Sequence, residues 1–270
     1  MSERVLTVLS IAGSDSGGGA GIQADLKAFA RCGVHGTTAI TAITAQNTVA
    51  VTAVEQIPPA MIVEQVRAVA ADIGADAVKI GMLGTAETIA AVVEALELVG
   101  DAPVVVDPVM VAESGARLLD EDAETALRGA LLPRVTVVTP NLPEARVLAA
   151  GPDAANAADA EPADLARAIH ALGPRNVVVT GGHREQAIDT FFDGERLTEL
   201  PGERYPEGAA HGSGCTHSSA LAAHLALGLE PLEAARRAKQ IASEAVRDGL
   251  RGLGAGAGPV DVLGLVRRED

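Results

Sequence analysis

The sequence predicts an α/β fold: a three-layer α/β/α sandwich with a mainly parallel central sheet. Two observations lead there. Short β-branched runs recur without the period-two alternation of a half-solvated strand, as strands buried on both faces do. Longer segments with helical spacing separate them, the alternation expected of βαβ units. Val5–Ala12, Thr37–Ile43 and Ala77–Ile80 read as the first strands, and Pro103–Val106, Val135–Val138 and Asn176–Val179 continue the series. A first helix places Ile22, Leu26 and Phe29 on one face; Pro59–Ile73, Ala86–Val99, Glu121–Leu131 and Ala163–Leu172 read as further amphipathic helices. The order breaks after Val179, where Ala187–Phe192 and Arg196–Leu200 flank Asp193-Gly194, a hairpin turn signal. Gly214–Leu227 and Pro231–Gly249 close the pattern as helices. Ala154–Pro162 reads as a loop and not a boundary, so residues 1–270 are taken as one domain.

With 48% hydrophobic residues but only three Phe, one Tyr and no Trp, the core must be aliphatic. The balance of 21 basic against 36 acidic residues, a net charge of −15, argues against nucleic acid and anionic membranes as partners. Too few rings exist for a single-strand stacking platform. Cys32 and Cys215 form neither a disulfide framework nor a zinc pattern, which points to a reducing cytoplasm. The opening apolar run passes straight into GSDSGGG with no A-x-A site, so it reads as a strand and not a signal peptide. The longest uncharged stretch, Cys32–Val54, is too rich in Thr, Gln and Asn to span a bilayer.

Ligands of open α/β sheets bind beyond the carboxyl ends of the strands, and the unusual polar residues fall there repeatedly. Gly13-Ser14-Asp15, Gln46-Asn47, Asp107-Pro108, Pro140-Asn141 and Gly181-Gly182-His183 each follow a strand, and Lys79-Ile80-Gly81-Met82 closes one. The loop Ser16–Gly21 reads either as a tight strand-to-helix turn or as a cradle for an anion. Asp25, near the start of the next helix, reads as a dipole partner or as a site carboxylate. His211-Gly212-Ser213-Gly214-Cys215-Thr216 precedes an apolar helical run, so its amides face an anion and favour a Cys215 thiolate. That suits phosphoryl transfer, with a poised base for the acceptor's proton; a plain helix cap with a small buried Cys is the alternative. Asp107 and Glu144 can hold Mg²⁺ through water, although Pro143 and Glu144 also fit the opening of a helix.

AGSDSGGGAGIQADLKAF, TAQNT, KIGML, VVDPVM, TPNLPEA, GGH and HGSGCT occur in one order along nearly the whole chain. In this the chain resembles the hydroxymethylpyrimidine/phosphomethylpyrimidine kinases of thiamine biosynthesis, a family of the ribokinase-like superfamily. The resemblance implies a ribokinase-like sandwich and two ATP-dependent phosphorylations of 4-amino-5-hydroxymethyl-2-methylpyrimidine, to the monophosphate and then the diphosphate. It assigns Gly13, Asp25, Gln46, Met82 and Val109 to the pyrimidine. Gly212 and Gly214 become the anion hole, and Cys215 the base. Asp107 and Glu144 are given to Mg²⁺, and Asn141, Glu144, Thr180 and Gly182 to the nucleotide and its phosphates. A cytoplasmic homodimer is implied as well. Glu113 and Ala116 stand where relatives usually carry Lys and Asp, and Thr180 where Lys is frequent. A pyridoxal kinase is the nearest alternative, since both substrates are flat heteroaromatics with a hydroxymethyl group; Gln46 and Met82 favour the pyrimidine.

Overall fold

Among the described residues, nine strands form one sheet in the order β3-β2-β1-β4-β5-β6-β7-β8-β9. The computed structural model describes residues 4–112, 115, 117–150, 159–182 and 187–265. β1 (Thr7–Asp15), β2 (His35–Gln46), β4 (Ala77–Ile80), β5 (Val104–Val106), β6 (Val137–Val138) and β7 (Asn176–Val179) run parallel. β3 (Val51–Gln56) pairs antiparallel with β2 at one edge. β8 (Asp189–Phe192) and β9 (Leu197–Leu200) extend the other edge as an antiparallel hairpin. β1 hands the chain to β2 on one side and is flanked by β4 on the other, a reversal of strand order that opens a crevice above its carboxyl end.

The continuous apolar runs follow from burial on both faces. Val8, Ala77, Val105, Val137 and Val178 point into a layer formed by α1 (Gly21–Arg31), α7 (Ser213–Ala226) and α8 (Pro231–Arg247). Their neighbours Leu9, Val78, Val106, Val138 and Val177 point the opposite way. That second layer comprises α2 (Pro59–Asp72), α3 (Ala86–Leu96), α4 (Glu121–Ala126), α5 (Leu142–Ala150) and α6 (Pro162–His170). Each wholly buried Val, Leu or Ile stabilises by about 1.5–3 kcal/mol relative to exposure, so a polar residue on either face of a central strand is penalised. The α1–α7–α8 layer is lined with small residues, among them Ala220, Ala223, Ala234 and Ala238. They let the backbones approach closely around the two rings of this layer, Phe29 and Phe191.

Three differences from the sequence reading have local causes. β1 continues past Ala12 to Asp15 because its pairing with β2 shifts register between Ala12 and Ser14, a bulge at Gly13. The expected helix Glu121–Leu131 ends early: α4 stops at Ala126, a widened turn follows over Leu127–Leu131, and a tight turn over Leu132–Arg134. Pro133 explains this, since it has no N–H and its ring crowds the carbonyl four residues before. β3 was not anticipated because it is an edge strand exposed along nearly its whole length, with no core face to shape its sequence. The loop expected at Ala154–Pro162 lies mostly outside the described residues, as do Glu113, Ala116 and His183.

Candidate active site

A cavity of about 450 Å³ opens over the carboxyl ends of the parallel strands. The strand ends deliver its walls in sheet order: Gln46 from β2, Gly13 from β1, Met82 after β4, Asp107 and Val109 after β5, Asn141 after β6, Thr180 and Gly182 after β7. Gly212, Gly214 and Cys215 come down from the start of α7. Every site residue expected from sequence lines this cavity except Asp25.

At the β1–β2 end, a Cβ on Gly13 would stand 2.4 Å from the Met82 Cε atom, so glycine is what lets that methionine lie across the bulge. The Met82 carbonyl accepts from the Thr41 hydroxyl at 2.7 Å. Gln46 is braced by its backbone: its N–H donates to Ser16 Oγ at 2.8 Å, and Ser16 Oγ donates to its carbonyl at 2.7 Å. The side-chain carboxamide, which accepts from Thr44 at 3.2 Å, is thus carried on a fixed main chain.

The Gly-rich loop does hold an anion, but an internal one. The Asp15 carboxylate accepts from the amides of Gly17, Gly19 and Ala20 at 2.8–3.0 Å, and His211 Nε2 lies 3.2 Å away. Burial resists ionisation of Asp15, but the His211 bond and the Ala20 and Gly17 amides outweigh it and hold the carboxyl below its ordinary value. Asp15 therefore ties the first loop to the turn that opens α7. Gly212, at φ +84°, completes the tie: a Cβ there would meet the Gly19 carbonyl oxygen at 1.8 Å. Neither an L side chain's backbone preference nor the space permits anything but glycine.

Asp25 departs from expectation. It is wholly buried, and both oxygens are engaged: Lys79 Nζ donates at 2.7 Å and Ser219 Oγ at 2.8 Å to Oδ1, and Ser10 Oγ at 2.6 Å to Oδ2. Asp25 does not line the cavity itself: the equally buried Lys79 reaches over from β4 and pairs with its carboxylate. Lys79 itself is at the cavity's edge.

Cys215 also departs from expectation. A helix start favours a thiolate, yet burial pushes the Cys215 thiol up to about 12. Lys79 and a Gly21 backbone bond oppose the shift, while Asp107 and Asp25 add to it. Burial and two carboxylates outweigh the helix field, so Cys215 is held as a neutral thiol.

Asn141 and Glu144 cap α5 reciprocally: the Glu144 N–H donates to Asn141 Oδ1 and the Asn141 N–H to Glu144 Oε2, each at 2.9 Å. Asn141 also bridges to Thr180 across the β6–β7 ends. The capping role does not remove Glu144 from the site, since its carboxyl lines the same cavity as Asp107. Burial, then the Asp107 charge, raises Glu144 to about 8. Burial likewise raises Asp107, against the pull of Lys79, and Ser218 donates to it at 3.2 Å. Two buried carboxyls, with the Asp107 charge resisting ionisation of Glu144 and Asp25 resisting that of Asp107, suit a cation. Among the described residues no three His, Cys, Asp or Glu gather as a metal cage; Mg²⁺ needs none, because it keeps waters and takes one or two carboxylates with substrate phosphates.

A pH dependence follows. An unfolded Glu144 loses its proton near 4.5, whereas the folded one holds it to about 8. Over that window the unfolded chain binds fewer protons, so the empty protein loses stability as pH rises. Urea unfolding at pH 5 and pH 8 should show wild type falling further between the two than Glu144→Gln; an equal fall would disprove the assignment.

The sequence put Asp15 and Lys79 at the ligand edge of the sheet without assigning either a role, and missed a cluster of His217, Asp189 and Lys239 on the β7–β8 side of the cavity. Asp15 carried a signal, since an Asp directly before a run of glycines can accept their amides. The others carried none, because their partners lie far along the chain.

A family model described as phosphomethylpyrimidine kinase matches residues 15–261. The hydroxymethylpyrimidine/phosphomethylpyrimidine kinase of Rhizobium meliloti is 50% identical over 255 residues, covering 93% of this chain and 95% of that one. Among solved structures, the pyridoxal kinase of Staphylococcus aureus in complex with ADP has a TM-score of 0.84 at 34% identity, over 98% of this chain and 96% of that one. The phosphomethylpyrimidine kinase of Clostridium difficile 630 has a TM-score of 0.77 at 40% identity, over 89% of this chain and 99% of that one.

Proposed function

The chain belongs to the phosphomethylpyrimidine kinase family, and on that premise we propose that it uses ATP to phosphorylate 4-amino-5-hydroxymethyl-2-methylpyrimidine and then the resulting monophosphate. It does so as one ribokinase-like domain over residues 1–270. One observation carries the reading: a single cavity has Gln46 and Met82 at one end, Thr180 and Gly182 at the other, and the Gly212–Cys215 helix start over its middle.

In this reading the Gln46 carboxamide pairs its donor and acceptor with the aminopyrimidine edge. Met82, Val109 and the space kept by Gly13 hold the ring flat. The transferring phosphoryl lies at the start of α7, where the amides beside Gly212 and Gly214 and the helix dipole meet its charge. Asn141, Thr180 and Gly182 hold the nucleotide's phosphates. Cys215 acts as the thiolate, the form that Lys79 and the helix start favour: its own proton passes to solvent first, and the thiolate then takes the proton from the substrate hydroxyl. The acceptor's proton leaves late, because the transition state of phosphoryl transfer is loose. Asp107 and Glu144 would hold Mg²⁺, which when bound screens the phosphate charge. Lys79 keeps a positive charge under Cys215 and Asp107 throughout.

Two further expectations go with this. The pair of free thiols suits a reducing cytoplasm. The exposed apolar residues Ile43, Val49 and Val54 on the β2–β3 hairpin suit a homodimer.

The test is mass spectrometry of products from the purified protein with ATP and an equal mixture of the pyrimidine and pyridoxal, with Mg²⁺ or with EDTA. The pyrimidine diphosphate should be the main product, and EDTA should abolish it. Pyridoxal phosphate as the main product would move the chain to vitamin B6 chemistry, and no phosphorylated product would refute a kinase. Light scattering on the same preparation should read twice the chain's mass.

A further inference from the structure

His217 is a misfit in its helix. It is 5% exposed, and neither ring nitrogen has a hydrogen-bond partner. The nearest group is Asp189 Oδ2 at 3.8 Å, and that carboxylate is already engaged: Lys239 Nζ lies 2.7 Å from Oδ1, and the Gly181 amide donates to the same oxygen at 2.8 Å. Burial keeps the ring neutral; Asp189 pulls the other way, and Lys239 reinforces the burial. A neutral imidazole offers one donor and one acceptor. Both are withdrawn from water here, so the empty protein carries an unmet polar group.

The ring lines the cavity, and its place there is specific. On α7 it lies three and four residues beyond Gly214 and Ser213, on the helix face they share. The two residues after it look elsewhere: Ser218 donates to Asp107, and Ser219 to Asp25. His217 faces β8 and α8 instead, next to the Gly181 amide between Thr180 and Gly182. The pyrimidine residues Gly13, Gln46 and Met82 lie toward the opposite edge of the sheet. In an in-line transfer, donor and acceptor approach the phosphoryl group from opposite sides.

We propose that His217 is a contact residue for the phosphoryl donor, hydrogen-bonding the purine nucleoside portion of the nucleotide, with the Asp189–Lys239 pair fixing the wall behind it. The inference rests on the kinase reading in taking a nucleotide as the occupant of this end of the cavity. For this contact the ring turns to present a nitrogen to the cavity, and the nucleotide supplies the partner that the imidazole otherwise lacks.

The experiment uses ADP and the pyrimidine as separate calorimetric titrants, so that it does not depend on turnover. His217→Phe keeps a flat ring and removes both polar atoms; His217→Gln keeps a donor and an acceptor. His217→Phe should weaken ADP about tenfold, equivalent to about 1.4 kcal/mol. It should leave pyrimidine affinity within about twofold and the melting temperature of the empty protein unchanged or higher, as expected when an unmet buried polar group is removed. His217→Gln should recover part of the ADP affinity. Unchanged ADP binding by His217→Phe would overturn the proposal. So would a joint loss of ADP and pyrimidine binding with a lowered melting temperature, which is the signature of a structural role. If wild type binds the pyrimidine but not ADP, the kinase reading falls together with the inference.

Discussion

Cys215→Ala should lower turnover by about a hundred- to ten-thousand-fold, the range associated with loss of a positioned general base. Pyrimidine affinity should stay nearly unchanged, because Gln46, Met82 and Gly13 do not depend on the thiol. The substitution is small and sits where glycines already shape the turn, so the fold should survive it. The pH dependence separates a base from a bystander. With the thiol pushed up to about 12 in the empty protein, alkylation of Cys215 should be slow at pH 7 and climb steadily through pH 10, since only the thiolate reacts. Cys32, also pushed up by burial, to about 11, is best replaced by Ser beforehand. A Cys215→Ala enzyme with near-normal turnover would remove Cys215 from the mechanism. Fast alkylation at pH 7 would instead show that the helix start outweighs burial.

Lys79→Met should destabilise the protein by about 3–5 kcal/mol, the usual effect of stranding one member of a buried ion pair. Asp25 would remain wholly buried, with only two serine hydroxyls for company. On a domain of this size each kcal/mol moves the melting temperature by about 2 °C, so the drop should approach 8 °C. Adding Asp25→Asn removes the stranded charge and should recover at least half of the loss. Turnover should recover only in part, because Asp25→Asn removes the weaker of two opposing influences on Cys215 and Asp107 while the stronger, Lys79, is still missing. If turnover returns in full with stability, Lys79 is only a structural prop. If neither single nor double variant loses stability, the pair contributes nothing to folding.

The central strands were legible because two faces were buried at once. AVKI and NVVV coincide with β4 and β7, since every residue in them is enclosed. VTAVEQ escaped because β3 borders solvent, and pairing with β2 is all that makes it a strand. The cavity residues were legible as a set because a parallel sheet puts all strand ends on one edge. What each residue does there was less legible. Asp25 sits one helical turn from the Gly-rich loop, which suggested a ligand contact; its true partner, Lys79, lies 54 positions away. The thiolate expected at Cys215 came from a local argument about helix starts, while the opposing influences are burial by the whole fold and Asp107 just after β5. His217 lay hidden in a helical run, where nothing local tells a buried imidazole from a satisfied one.

The Asp15–His211 tie has a consequence for the order in which the molecule comes into being. Its two ends are 196 positions apart, and the His211 carbonyl is in turn held by the Val260 amide. At roughly 5–20 residues per second of synthesis, the Gly-rich loop emerges about 10–40 s before the turn that must close on it. During that interval β1, β2 and β4 can pair and bury the face that packs on α2 and α3, but the half of the cavity closed by α7 has no counterpart to dock against. Non-local closure of this kind is slow. The growing chain thus acquires a shell well before it acquires chemistry, and a nascent protein stalled in mid-translation is not a partially active one.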